Sequence, residues 1–263
     1  MLRVGGTDRV AFLQGLVSND VTLVEPGRAV FAALLTPQGK YLADFFILAA
    51  PREPALLLDC AASQADLVAA RLNRFRLRAA VQIGRAEPAW HVHAAWDAPP
   101  AVPTDGVVVP DPRLAAAGWR VLARHTLDGA EDAAAYDRHR LLLGLPDGAL
   151  DLEPERSLLL EAGFDALHGV SWTKGCYLGQ ELTARTRYRG LIKRRVVKII
   201  ADGDLPPPGT PILADGREVG VLHHGQDKVA MATLRLDALA LPLWAENVAL
   251  RAAPPEWAQP PDA

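Results

Sequence analysis

Cysteine occurs only twice in the 263 residues, at Cys60 and Cys176. Two lone thiols make no disulfide framework and no C-x-x-C pair, and they suit a reducing compartment. A conventional iron–sulfur centre draws on about four thiolates, so any cluster on this chain needs ligands from elsewhere. Long apolar runs are also missing. The longest, AVFAALL, covers Ala29–Leu35, far short of the roughly 20 residues of a membrane helix. The opening MLRVGGTDRV has neither a signal-peptide core nor the Arg/Ser-rich character of a transit peptide, so a cytoplasmic, bacterial-type location is expected. Net charge is only −3, which leaves no global positive field for a nucleic-acid backbone. Neither nucleic acid nor membrane is expected as a partner. G-x-G-x-x-G, Walker, G-x-S-x-G and H-E-x-x-H motifs are absent.

What is present is a large apolar fraction, half of all residues, enough for a sizeable core. Thr7-Asp8 predicts a helix start, with Val10, Leu13 and Val17 on one apolar face. RAVFAALLT (28–36) and KYLADFFIL (40–48) read as a hairpin around Thr36–Gly39. ALLLD (55–59) predicts a strand, 63–74 a helix, and LRAAVQI (77–83) another strand, an α+β arrangement. Trp119–Ala123 predicts a strand, and Glu131–Leu143 a helix closed by Gly144. From about 196 the character changes to short β-runs separated by DLPPPG, ADG and GQD, the signature of a small closed β-module over 196–252. The Pro-rich 253–263 reads as disordered.

Cys176 stands in WTKGCYLGQE (172–181), between Gly175 and Gly179 and two residues from Lys174. A cation favours a thiolate, and the glycines permit positive φ or close approach. The residues alone leave two readings open: a reactive or ligating thiol, or a small buried cysteine in a turn. His91/His93 and His223/His224 lack a third ligand at recognisable spacing and read as structural or surface histidines. Arg185, Arg187 and Arg189 alternate in TARTRYRG. Read as a strand, they share one face, either a site for carboxylates or phosphate or a plain solvated face.

KGCYLGQE (174–181) resembles the signature of the YgfZ family of folate-binding proteins, relatives of the aminomethyltransferase T-protein of glycine cleavage. FLQGLVSNDV (12–21), LLTPQGKYLADFFI (34–47), LEAGFDALHGVSW (160–172) and GTPILADGREVGVLHHG (209–225) resemble further family blocks. ELTARTRYRGLIKRR (181–195) is similar to the branch containing the mitochondrial iron–sulfur assembly factor.

The resemblance implies an aminomethyltransferase-like cloverleaf around a central channel. Its folate-binding region is 1–195, with one subdomain at roughly 40–115, and it is followed by the C-terminal β-barrel. It also implies tetrahydrofolate-supported assembly or repair of iron–sulfur enzymes. Cys176, with Lys174 beside it, becomes the functional thiol and a ligand to a transient cluster shared with a partner. Glu161 becomes the pterin-contacting carboxylate. Asn19, Asp20, Tyr177, Gln180, Glu181, Arg185 and Arg187 become further folate-pocket residues, with Gln14 near them. Implied partners are iron–sulfur assembly or carrier proteins and recipient enzymes, with the chain a monomer on its own. The T-protein lacks this cysteine and uses an aspartate with no evident equivalent here. A tetrahydrofolate-dependent one-carbon transferase is the alternative expectation.

Overall fold

The structure, a computed structural model, describes residues 1–190 and 192–258. The chain divides into two compact units. The first takes Met1–Ala130, Pro154–Arg156 and Leu167–Leu182, and the second takes Glu131–Glu153, Ser157–Ala166 and the chain from Thr183 onward. Segments well upstream of the barrel group with it.

In the first unit, β1 (Leu2–Gly5) precedes α1 (Arg9–Gln14), β2 (Val30–Leu35), β3 (Tyr41–Ala49), β4 (Leu56–Cys60), α2 (Ala65–Phe75) and β5 (Gln82–Arg85). The strands form one sheet in the order β2-β3-β4-β1-β5. The expected hairpin is present, paired from Val30↔Ile47 to Leu35↔Tyr41. A second sheet joins β6 (His91–Ala95), β7 (Val107–Pro110) and β8 (Trp119–Ala123) in the order β6-β8-β7. Arg120 on β8 pairs with Asp59 on β4, and its guanidinium lies 3.9 Å from the ring centroid of Phe46 on β3.

Strand β2 is an edge strand, yet all six of its residues are buried. An edge left open would present unpaired N–H and C=O groups. Here the chain after α1 covers it: Ser18 N donates to Ala33 O at 2.9 Å, and Ala33 N donates to Ser18 Oγ at 2.8 Å. Helix α1 therefore stops at Gln14, short of the expected Val17, so that Val17–Asn19 can run along the sheet. Asp8 stands at its N-cap but does not cap it with its side chain; Asp8 Oδ2 instead accepts from Ala80 N at 2.8 Å.

The strand expected over 77–83 is corrected to β5, Gln82–Arg85. Leu77 has φ +43, and Ala79 N donates back to Arg76 O at 2.8 Å. That tight turn uses the backbone that a strand would need.

In the second unit, α3 (Ala133–Leu143) is capped by the Asp132 side chain and ends on Gly144 at φ +68, the usual use of glycine at a helix C-terminus. Then come α4 (Gly148–Asp151), α5 (Gln180–Tyr188), whose first three residues belong to the first unit, and β9 (Arg194–Ala201). The remaining strands are β10 (Pro211–Ala214), β11 (Arg217–Gln226), β12 (Val229–Arg235), β13 (Leu243–Ala245) and β14 (Val248–Ala252). Strands β9 to β14 close into a six-stranded barrel in the order β10-β11-β12-β9-β14-β13. Closure removes every edge.

Arg140 of α3 is buried and bonded to Asp137 and Asp151, both at 2.7 Å. His224 Nε2 lies 2.7 Å from Asp137 Oδ2, and His223 Nε2 lies 2.7 Å from Thr233 Oγ1. Both barrel histidines thus have structural partners.

Residues 253–258 are not disordered, contrary to expectation. Trp257 Nε1 donates to Leu143 O at 2.9 Å, and its ring fills the space where a Cβ on Gly163 would sit. Residues 259–263, the rest of the expected tail, lie outside the described residues.

Candidate functional site

The cysteine loop is fixed to the first unit by its own main chain and by one lysine. A Cβ on Gly179 would lie 2.5 Å from Thr36 O, and φ there is +80. Only glycine lets the loop touch the β2–β3 turn so closely. Leu178 N donates to Gly15 O at 3.0 Å, Ser171 N to Ser18 O at 3.0 Å, and Tyr177 N to Gln180 Oε1 at 2.9 Å. Lys174 Nζ donates to the carbonyls of Val17 and Asn19, both at 2.7 Å. Those are the residues on either side of Ser18, which covers the β2 edge. Sheet edge, covering segment, lysine and cysteine loop therefore form one continuous hydrogen-bonded stack.

Burial pushes the Lys174 ammonium down to about 8, opposed by the charge of Asp20. Lys174 also lies 5.1 Å from the centroid of the Tyr177 ring. Its ammonium protons go to backbone oxygens, so Lys174 acts as a clamp on the loop. The Cys176 side chain is exposed, while Tyr177 next to it is buried. Of the two readings left open by the residues, the buried turn cysteine is the one this exposure contradicts.

Several expected folate residues are engaged by the fold itself. Asn19 Nδ2 donates to Phe31 O at 2.8 Å and His168 O at 2.6 Å. Gln14 joins Asp20 Oδ1 at 2.9 Å and accepts from Val21 N at 2.8 Å. Asp20 Oδ1 also accepts from the Thr22 hydroxyl at 2.6 Å, which holds its carboxyl below the usual range, with Lys174 as a lesser cause. These side chains shape the segment that Lys174 grips.

The arginine assignment needs correction. Residues 180–188 form helix α5, not a strand. At about 100° per residue Arg187 lies on the far side of the helix from Arg185, while Arg185 and Arg189 are one turn apart. The three do not share a face. Glu181 and the three arginines are exposed, and Gln180 is half-buried.

Glu161 belongs to the second unit, in a run of turns, and its carbonyl accepts from Val196 N on β9 at 2.7 Å. Four residues on, Asp165 Oδ1 is buried with no hydrogen-bond partner. Sequence reasoning missed Asp165; its only signal was a second carboxylate in LEAGFDAL. A half-buried carboxylate with an orphaned carboxylate oxygen nearby in sequence is an acceptor-rich set. Acceptors suit the N–H edge of an aminopyrimidine, so this acceptor set is compatible with a pterin. Among the described residues no group of three or more His, Cys, Asp or Glu is placed to hold a metal ion.

Residues 193–260 match the family model of the CAF17 C-terminal beta-barrel domain. The whole chain is similar in structure to the glycine cleavage system aminomethyltransferase T of Bartonella henselae, with TM-score 0.74 at 16% identity, over 98% of this chain and 83% of that one. The fold is therefore that of an aminomethyltransferase-like protein ending in a CAF17-type barrel. The mitochondrial iron–sulfur cluster assembly factor IBA57 of Mus musculus is 32% identical over 98% of this chain and 82% of its own length. The IBA57 homolog of Mycosarcoma maydis is 36% identical over 80% of this chain and 57% of its own length. The chain belongs to the IBA57 family of iron–sulfur cluster assembly factors. The mitochondrial names of these relatives overturn the expected cytoplasmic, bacterial-type location.

Proposed function

We propose that this protein is a folate-binding accessory factor for assembly or repair of iron–sulfur clusters, of the kind the YgfZ resemblance describes, with Cys176 as its one working thiol. The observation that carries this reading is an exposed cysteine on a loop held rigid by Lys174 and Gly179. A loose loop would hold a ligand atom poorly; this one is tied to a sheet edge.

The cluster is cargo. Cys176 supplies one of the roughly four thiolates a cluster needs, and an assembly or carrier protein supplies the others before a recipient enzyme takes it. Lys174 holds the loop, and Tyr177 buries its ring beneath it. Glu161 and Asp165 are the residues that would accept the pterin edge of a bound tetrahydrofolate, which would supply redox and one-carbon chemistry. Exposed Arg185 and Arg189 offer cations to a folate tail or an acidic partner.

The test is Cys176→Ser. The variant should fold and bind tetrahydrofolate by calorimetry as the wild type does, yet fail to support cluster-enzyme maturation in a reconstituted assay. Full support by the variant rejects the thiol role. Absence of binding heat with the wild type rejects the folate role.

A further inference from the structure

The end of α2 and the turn after it read RLNRFRLR, Arg71 to Arg78, four arginines in eight residues. Arg71 pairs with Glu155 at 3.2 Å. Arg74, Arg76 and Arg78 are exposed, and among the described residues none of the three has an acidic partner. Arg74 complements the helix C-terminus, but Arg76 and Arg78 lie beyond the helix and have no such role. Between them Leu77 is 87% exposed with φ +43. A bulky side chain held out in a left-handed backbone is unusual and costly.

Arg71 and Arg74 also line an apolar recess of about 230 Å³, walled by Leu34, Leu42, Phe75 and Leu178 among others. Leu178 belongs to the cysteine loop, two residues from Cys176. The recess therefore touches the loop that carries the exposed thiol.

We propose that this surface docks an acidic segment of the cluster-sharing partner protein. One apolar side chain of the partner enters the recess, and carboxylates flanking it meet Arg74, Arg76 and Arg78. That the docked protein shares a cluster rests on the function proposed above; that an acidic segment with an apolar anchor binds here does not.

Charge and shape select this occupant. Arginine forks pair with carboxylates, and an apolar anchor ringed by polar contacts is the usual plan of a binding hot spot. A concave recess needs a protruding side chain, which lipid headgroups do not offer, and the chain's net charge of −3 disfavours an anionic bilayer or a nucleic acid. The aromatic side chain at this surface, Phe75, is half-buried and poorly placed to stack on bases.

The experiment uses the full chain and short fluorescein-labelled peptides read by anisotropy. One peptide has Asp and Glu flanking a central Phe; a second has Ala in place of Phe; a third has Lys in place of the acids. The first should bind, more weakly as salt rises. The Ala peptide, and the variant Arg74→Glu/Arg76→Glu/Arg78→Glu, should each weaken binding about tenfold or more, equivalent to about 1.4 kcal/mol. The Lys peptide should not bind. Cys176→Ser should bind the first peptide unchanged, so failure of the thiol reading stays separate from failure of this one. Circular dichroism checks that the triple variant, altered only at exposed positions, is folded. No binding of the first peptide overturns the proposal, as does equal binding by the triple variant. Arginine-dependent binding of phosphatidylserine vesicles in place of the peptide would also overturn it, by assigning the surface to a membrane.

Discussion

The space beside Gly179 is occupied by Thr36: a methyl group on the glycine would come within 2.5 Å of the threonine carbonyl oxygen. Gly175, four residues earlier in the same loop, has φ +96 but nothing within 4 Å of such a methyl. The two glycines therefore make different demands. Gly175→Ala should cost about 1–3 kcal/mol through backbone strain alone. Gly179→Ala should cost more, because the β2–β3 turn must also move. Thermal unfolding of both variants checks the order, and equal losses would refute it.

Lys174→Met removes two hydrogen bonds from a half-buried ammonium to main-chain oxygens, a loss of about 1–3 kcal/mol. The pH dependence has a definite sign. Lys174 titrates near 8 in the fold and near 10.5 unfolded, so between those values the unfolded chain binds more protons. Stability of the wild type relative to Lys174→Met should then rise from pH 8 to pH 10.5. Urea unfolding of both proteins across that window measures it; a falling difference would contradict the assignment.

Arg140 lies between Asp137 and Asp151, and the Asp151 side chain is fully buried. Arg140→Ala should destabilise the second unit by about 3–5 kcal/mol, because it strands buried carboxylates. Arg140→Met combined with Asp151→Leu should recover a large part of the loss. Chemical denaturation of the single and double variants decides.

His223 is held neutral by burial, which pushes its pKa down to about 4 against the opposing charge of Glu153. Unfolded, it takes up a proton near 6.5. The native state should therefore lose stability as pH falls from 6.5 to 4, by at most about 3 kcal/mol. His223→Gln should flatten that slope. An unchanged slope in the variant would place the acid sensitivity elsewhere.

The hairpin around Thr36–Gly39 and the barrel strands were legible because each rests on local signals: apolar runs punctuated by turn residues. The cysteine loop was legible for the same reason, since Gly175 and Gly179 announce unusual backbone. Helix α5 was not. Arg185, Arg187 and Arg189 repeat every two residues, which mimics a strand, while Thr183 and Thr186 carry its buried face at helical spacing. Nor could spacing reveal that Lys174 reaches Val17 and Asn19, more than 150 residues away. The orphaned oxygen of Asp165 depends on burial, which only the folded chain decides.

Strand β14, ending at Ala252, closes the barrel against β9, while the much earlier segment Glu131–Glu153 belongs to the same unit. A ribosome must release the chain through Ala252 before that unit can complete itself. During synthesis α3 waits without the barrel strands β11 and β12 that pack on it, which makes the incomplete nascent chain the stage most exposed to aggregation and most dependent on chaperones.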